Sequence, residues 1–159
     1  RRVGGRVQGL VCQRGDAGMK ALYERIRSSF DRQNFLALLG AELESVELGR
    51  VVISCLRRED LTQQQGFLHG GVVTSIADVT CGYTALTVIP ERQEVLTVEF
   101  KINLLRPVTG RKIIAAGSVV KAGSSPVITE AEVTDADSGK PAAKMLATMI
   151  PAAKKEEPV

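Results

Sequence analysis

Residues 66–90 read GFLHGGVVTSIADVTCGYTALTVIP, and the architecture of the chain depends on whether they form a strand or a helix. Val, Ile and Thr dominate the stretch and favour a strand by propensity. However, the run from Gly71 to Pro90 holds no turn signal and is longer than an ordinary strand. Gly70 and Gly71 provide a flexible start and Pro90 a stop, so the sequence predicts a helix over Gly70 to Ile89.

The predicted helix is apolar on nearly every side, and a helix of this kind has to be buried. An antiparallel sheet wrapped around one buried helix is the natural way to cover it in a chain of this length. The sequence therefore predicts an α+β fold with a curved antiparallel sheet around one long central helix.

Asp78 is the only Asp, Glu, Lys or Arg between Leu61 and Pro90. A carboxylate in such surroundings costs free energy unless water or a hydrogen-bond donor compensates it. Two interpretations stay open. In the structural interpretation, Asp78 lies at a solvated edge of the helix or bonds a backbone amide. In the functional interpretation, it lies beside a cleft and acts as a general base or nucleophile.

The segments around this stretch alternate between helical and strand patterns. Residues Ala17 to Leu39 carry apolar side chains at helical spacing, which predicts a short N-terminal helix that can break near Asp31. Residues Ala41 to Leu56 resemble two short strands around a turn at Leu48-Gly49-Arg50.

Further along the chain the apolar period changes to two. From Leu96 to Leu104 every second residue is apolar, which predicts a half-buried strand with one apolar face. Three more strands are expected at Ile113–Lys121, Val127–Asp135 and Ala142–Ile150, and their short connections predict an antiparallel meander.

The chain of 159 residues has the size and composition of one domain. The interpretation is a disordered leader at 1–16, a single domain at 17–150 and a disordered tail at 151–159.

Composition excludes several classes of function. The 21 Lys and Arg exceed the 18 Asp and Glu by only 3, and the six aromatic residues include no Trp, which argues against nucleic-acid binding. Three separated cysteines and one histidine predict neither disulfides nor a metal site. No stretch has the length of a membrane span. The expectation is a soluble, cytoplasmic protein without a cofactor.

The loop before the helix, Gly66 to Gly71, is the second half of a candidate site. Backbone N–H groups at a helix start lack intrahelical acceptors, and with the helix dipole they can stabilise an oxyanion. His69 has no titratable partner in the sequence, so an orienting or capping role is favoured over a catalytic base. The nucleophile motif G-x-S-x-G is absent.

Three segments together resemble a known family: QQQGFLHGGVVTSIAD at 63–78, LTVEFKINLLRP at 96–107 and VVKAG at 119–123. The chain resembles the hotdog-fold acyl-CoA thioesterases of the phenylacetyl-CoA thioesterase (PaaI-like) family over about Leu36 to Ile150. The resemblance implies a hotdog fold and a homodimer or homotetramer whose active sites lie between protomers.

The resemblance also assigns roles to individual residues. Asp78 matches the catalytic carboxylate, and Gly70 matches the residue whose N–H binds the thioester carbonyl. Gln63 matches a residue that positions water or substrate, and Thr97 matches a Ser or Thr of the site in some members. Related 4-hydroxybenzoyl-CoA thioesterases carry a Thr one turn after the acid, where this chain has Gly82.

The implied activity is hydrolysis of medium-chain or aryl-acetyl-CoA thioesters to a free acid and CoA, with Asp78 as base or nucleophile. The alternative is a non-catalytic domain that binds or senses acyl-CoA. An enoyl-thioester hydratase is less favoured, because His69 lies in the glycine loop. Besides His69 in the catalytic loop, two groups of residues are expected to contact the substrate. Those for the acyl thioester are Gly71, Val72, Val73, Ile76, Val79 and Tyr83, and those for the phosphates are Arg106, Lys112, Lys121, Ser124 and Ser125.

Overall fold

The computed structural model describes residues 15–123 and 125–154, so most of the predicted leader, Ser124 and residues 155–159 lie outside the described residues. The elements in chain order are α1 (Asp16–Asp31), α2 (Asn34–Leu39), β1 (Ala41–Glu47), β2 (Arg50–Leu56), α3 (Gly70–Leu86), β3 (Gln93–Leu104), β4 (Lys112–Lys121), β5 (Val127–Asp135) and β6 (Lys140–Ala153), with a short 3-10 turn at Glu59–Leu61.

Helix α3 forms over the predicted stretch and ends at Leu86, three residues before the predicted boundary. His69 caps its start, because Nδ1 accepts a hydrogen bond from the Gly71 N–H at 2.9 Å. The hydroxyls of Thr80 and Thr84 donate to the carbonyl oxygens four residues earlier, at 2.7 Å each. Since these hydroxyls are satisfied within the helix, a Thr-rich helix can be buried.

The six strands form one antiparallel sheet in the order β1-β2-β4-β5-β6-β3. The meander prediction is wrong for β3, which pairs with β6 at the far edge instead of with β4. Helix α3 is the reason: its 17 residues span about 26 Å, enough to cross the roughly 19 Å of four strand spacings before β3 begins. The predicted α+β hotdog architecture, a curved antiparallel sheet around one long helix, is confirmed.

The helix lies unusually close to the sheet at Gly117 of β4. A Cβ atom at this residue would lie 2.9 Å from Thr80 Cγ2 and 3.1 Å from the Thr80 carbonyl oxygen, and it would also collide with Thr84 Oγ1. Both threonines are fully buried. The absence of a side chain at Gly117 therefore sets the distance between α3 and the sheet.

Strand β3 does not have the single apolar face that its alternation predicts. The register shifts between Thr97 and Glu99, so Val98 forms a β-bulge. Before the bulge Leu96 lies opposite Ile150 on the outer face, whereas after it Phe100 lies opposite the buried Ala147 on the helix face. The prediction of one continuous buried face is wrong because the bulge reverses the alternation.

The N-terminal segment folds as two helices, with the break expected near Asp31. Arg25 of α1 fastens this segment to the end of α3. Its guanidinium donates to four backbone carbonyls, those of Leu86 and Ile89 at 3.3 Å, Pro90 at 3.2 Å and Gln93 at 2.7 Å. The Leu86 carbonyl lies at the C-terminal, negative end of the α3 dipole, where a cation is stabilising.

Strand β6 extends beyond the predicted end of the domain. Pro151 and Ala153 pair with Val95 and Gln93, because β3 begins earlier than predicted and offers them a partner. The structured part of the chain therefore includes the first three residues that were assigned to the tail, and α1 begins at Asp16, the last residue assigned to the leader.

We expect Gly117→Ala to destabilise the protein by about 1–3 kcal/mol, since the new methyl group has to displace the Thr80 and Thr84 turns of α3. Urea unfolding measures this loss. Gly123→Ala is the matched control, because a Cβ there meets no atom within 4 Å. Equal unfolding midpoints for the two variants would contradict the close approach.

Candidate active site

Asp78 of α3 and Thr97 of β3 form the first half of the site. Thr97 Oγ1 donates to Asp78 Oδ1 at 2.9 Å, and it lies 3.4 Å from the sulfur of Met149 on β6. Thr97 lies opposite Met149 on the face of the sheet that meets the helix, and the bulge at Val98 begins at the next residue. The structure thus brings together two of the residues selected from the sequence.

Burial raises the pKa of the Asp78 carboxyl above its ordinary value, and the Thr97 hydrogen bond compensates only in part. The Asp78 side chain is half-buried, and among residues 15–123 and 125–154 no Lys or Arg forms an ion pair with it. A carboxylate that is poorly solvated and unpaired accepts a proton more readily than an exposed one. This is the property that a general base needs.

A pocket of about 200 Å³ opens beside Asp78. It follows α3 toward its C-terminal end, past Val79, Gly82 and Tyr83. Gly82 places no side chain in this groove. The residues lining the pocket are Ser29, Gln33, Asp78, Val79, Gly82, Tyr83, Leu86, Glu94, Val95 and Thr97.

The loop before α3 forms the second half of the site. The Gln63 N–H donates to Phe67 O at 2.9 Å, and the Gly66 N–H donates to Gln63 O at 2.8 Å, with Gly66 at φ +81°. Gln63 Oε1 accepts the N–H of Gln65 in a short contact. These bonds fold the loop back over a pocket of about 280 Å³ that contains Gln63 and Gly70.

Gly70, the first residue of α3, has little space around it. A Cβ atom there would lie 2.9 Å from Leu104 Cδ1. The N–H of Gly71 is occupied by His69 Nδ1. His69 therefore acts as a helix cap in the structure, and the amide available to a carbonyl at this helix start is that of Gly70.

The two halves lie far apart within one chain. Gly70 and Asp78 are eight residues apart on the same helix, a separation of about 12 Å along its axis. A thioester carbonyl bound to Gly70 N–H cannot therefore be attacked by a group held at Asp78 of the same chain.

The residues expected to bind phosphate are not brought together. Lys121 lies opposite Ile128 at one end of β5. Arg106 donates to the carbonyl of Pro141, which lies opposite Thr134 at the other end of β5. About 20 Å of β5 therefore separates Lys121 from Arg106. Lys112 is engaged by Glu44 at 2.5 Å and by Glu42 at 3.8 Å. Ser125 lies in the β4–β5 turn near Lys121, and Ser124 lies outside the described residues.

The apolar residues expected along the acyl group also divide. Val79 and Tyr83 line the pocket beside Asp78, and Val73 lines the loop pocket. Val72 and Ile76 are buried in the core. Sequence reasoning missed Ser29, Gln33 and Glu94, because no pattern indicated that α1, the start of α2 and the start of β3 contribute to the same pocket.

Asp135, at the end of β5, has the opposite environment to Asp78. Its side chain is only 5% exposed, and it accepts four backbone N–H groups, those of Thr109, Gly110, Asp137 and Ser138. Burial would raise the pKa of this carboxyl, but the four hydrogen bonds outweigh burial and hold it below its ordinary value. Asp135 is therefore a structural carboxylate that fixes two loops.

Comparison with known proteins identifies the family. Residues 65–142 match the description Thioesterase superfamily, and a provisionally assigned esterase of Saccharolobus solfataricus is 38% identical over 108 residues, 68% of this chain and 76% of that protein. The chain belongs to the thioesterase superfamily. The prediction of a thioester hydrolase is thereby confirmed.

Further relatives and structures agree with this assignment. The 1,4-dihydroxy-2-naphthoyl-CoA hydrolase of Listeria monocytogenes is 29% identical, over 61% of this chain and 79% of that one. The crystal structure of a thioesterase family protein from Silicibacter pomeroyi superposes with a TM-score of 0.80 at 36% identity, over 84% of this chain and 99% of that one. The E. coli PaaI protein has the same fold, with a TM-score of 0.79 at 16% identity over 86% and 97% of the two chains.

Within the described residues of this thioesterase, no helix is both long and apolar enough to cross a membrane.

Replacing Asp78 with Asn should raise the melting temperature of this thioesterase at pH 7. The folded protein binds the Asp78 proton more tightly than the unfolded chain does, so ionisation at neutral pH costs stability. The gain should vanish below about pH 3.9, where the carboxyl is protonated in both states. Thermal unfolding from pH 3 to pH 8 measures it.

Asp135→Asn is the matched control for this measurement. Its carboxylate is stabilised by folding, so this variant should melt at a lower temperature at pH 7, and the difference should shrink as acid protonates Asp135 in the parent protein. A loss of stability at pH 7 in both variants would contradict the opposite environments of the two carboxyls.

Proposed function

We propose that this thioesterase hydrolyses acyl-CoA thioesters to a free acid and CoA, with Asp78 as the group that activates water or attacks the thioester. The observation that carries the proposal is a half-buried carboxylate of raised pKa, bonded to Thr97 and open to a pocket. The name of the Listeria relative, a CoA-thioester hydrolase, supports CoA as the leaving group.

In the general-base form of the reaction, Asp78 takes a proton from water and the resulting hydroxide attacks the carbonyl carbon. The oxyanion accepts a hydrogen bond from the Gly70 N–H. The C–S bond then breaks, and the CoA thiolate leaves and takes up a proton. In the nucleophilic form, Asp78 itself attacks and the resulting anhydride is hydrolysed by water. Gln63 would position water or substrate in either form.

The minimal active unit that we propose is a homodimer. Gly70 and Asp78 of one chain are too far apart to act on one carbonyl, so each site would combine Asp78 and Thr97 of one protomer with Gln63 and Gly70 of the partner subunit. Strand β3 is an edge strand whose Leu96, Val98 and Phe100 are 44–58% exposed. A two-fold partner would cover this edge, and the dimer would double to a homotetramer.

The acyl group would lie in the pocket along α3, where medium-chain or aryl-acetyl groups can bury apolar surface that acetyl cannot reach. Arg106, beside the loop pocket, is the proposed phosphate contact nearest to Gly70. Lys121 and Ser125 lie near the other end of β5, about 20 Å from Arg106. A domain that merely binds acyl-CoA has no need for a half-buried carboxylate at this pocket.

Asp78→Asn should lower kcat for thiol release by about a hundredfold or more, because the amide can neither accept the proton nor attack the carbonyl. A thiol-detection assay with a panel of acyl-CoA esters measures the loss. Asp16→Asn, at the start of α1 and far from the pocket, should leave the rate unchanged. Retention of more than about a tenth of kcat by Asp78→Asn would remove Asp78 from the mechanism.

Mixing Asp78→Asn subunits with Gln63→Ala subunits should restore activity. A mixed dimer contains one site with both lesions and one intact site, so an equal mixture with free exchange should reach about a quarter of the parent activity. Subunit exchange is verified separately with distinguishable tags. Exchange without recovery of activity would mean that each site lies within one chain.

A further inference from the structure

We infer that the far end of the acyl pocket, formed by Ser29, Gln33 and Tyr83, selects a compact, neutral acyl group that carries a hydrogen-bonding group at its distal end. This inference rests on the proposed function, and it concerns residues that the N-terminal helices bring to the pocket.

The distal end is a defined polar cluster. The Tyr83 hydroxyl accepts a hydrogen bond from Gln33 Nε2 at 2.6 Å, and Ser29 Oγ lies 3.3 Å from the same hydroxyl. The Phe30 ring lies against the Tyr83 ring, with centroids 5.8 Å apart and an interplanar angle of 45°. Tyr83 is only 4% exposed, and burial raises the pKa of its phenol, so it keeps its proton and can donate.

This cluster has hydrogen-bonding capacity beyond its internal bonds. Gln33 has a second amide hydrogen and a carbonyl oxygen, and Ser29 and Tyr83 are each both donor and acceptor. All three residues line the pocket. A hydroxyl or carbonyl group at the end of an acyl chain could therefore exchange bonds with them, whereas a plain alkyl end would leave these polar groups facing a methyl group.

The part of the pocket that lies within one chain has the dimensions of a compact acyl group. A cavity of about 150 Å³ holds a benzene molecule, so the 200 Å³ here suits one ring or a chain of similar bulk. Tyr83 lies five residues beyond Asp78, about 7.5 Å along the helix, which is about the reach of a six-carbon chain.

The charges of the pocket limit the charge of the acyl group. Asp78 lies at one end, and Glu94 contributes a second carboxylate to the lining. Among the described lining residues none is a Lys or Arg, so an acyl group ending in a carboxylate would meet two like charges within the lining. The cation with an effect on the pKa of Tyr83 is Arg32, which is not one of the lining residues. The distal group should therefore be polar and uncharged.

The cluster is held in place from outside the pocket. Arg25, one turn before Ser29 on α1, is bonded to the end of α3 and to the linker that leads into β3. Gln33 is the cap residue at the start of α2. The position of the N-terminal helices therefore determines which polar groups reach the acyl end, which makes Ser29 and Gln33 specificity residues supplied by an element outside the sheet.

The test compares kcat/KM for hexanoyl-CoA, 6-hydroxyhexanoyl-CoA and adipoyl-CoA with the parent protein. We expect the hydroxylated ester to exceed hexanoyl-CoA by about five- to tenfold, the value of one hydrogen bond, and adipoyl-CoA to be the poorest. In Tyr83→Phe and Gln33→Leu the ratio of hydroxyhexanoyl to hexanoyl should fall toward one. Tyr23→Phe, an exposed tyrosine of α1 outside the pocket, is the matched control and should keep the parent ratio.

Equal kcat/KM for the hydroxylated and plain esters in the parent protein would overturn the inference while leaving the proposed hydrolysis intact. The inference would also be overturned if Tyr83→Phe and Gln33→Leu lowered kcat/KM for both esters by the same factor, since the cluster would then only support the fold. If the parent protein released thiol from none of the esters, the proposed function would fail. Calorimetric Kd values for the two neutral esters would then decide the pocket preference, and equal values would overturn it.

Discussion

Helix α3 packs against the sheet at a distance that leaves no room for a side chain at Gly117, and this contact is the constraint on which the rest of the structure depends. An apolar helix gains most when its sides are covered, so the sheet curves around it and the N-terminal helices cover its C-terminal end. Water is excluded along most of α3. A single carboxylate left on such a helix is forced into the intermediate environment that raises the pKa of Asp78.

The N-terminal helices have a larger part in the site than their sequence position indicates. Arg25 joins α1 to the C-terminal end of α3 through backbone carbonyls, which are available whatever the side chains are. That bond brings Ser29 and Gln33 to the pocket beside Asp78. The proposed catalytic part of the site thus lies on α3 and β3, while the part proposed to meet the acyl end comes from the N-terminal helices.

The same helix that carries both halves of the site also keeps them apart. A rigid helix holds Gly70 and Asp78 about 12 Å from each other, so no movement of side chains within one chain can bring them to one carbonyl. The exposed edge strand β3 lies beside Asp78 through Thr97, so covering that edge with a second copy would also complete the site. Assembly and catalysis would then depend on one surface.

The sequence by itself determined the central helix from its length and its Gly and Pro boundaries, the strand segments from their periodicity, and Asp78 as a candidate from its isolated charge. The family resemblance of the sequence added Gly70, Gln63 and Thr97 as candidates. The sequence could not determine that β3 crosses to the far edge, that the bulge at Val98 reverses its faces, or that Gln33 meets Tyr83. Those features depend on contacts between residues distant in sequence, and only the packing of α3 across the sheet decided which of them could form.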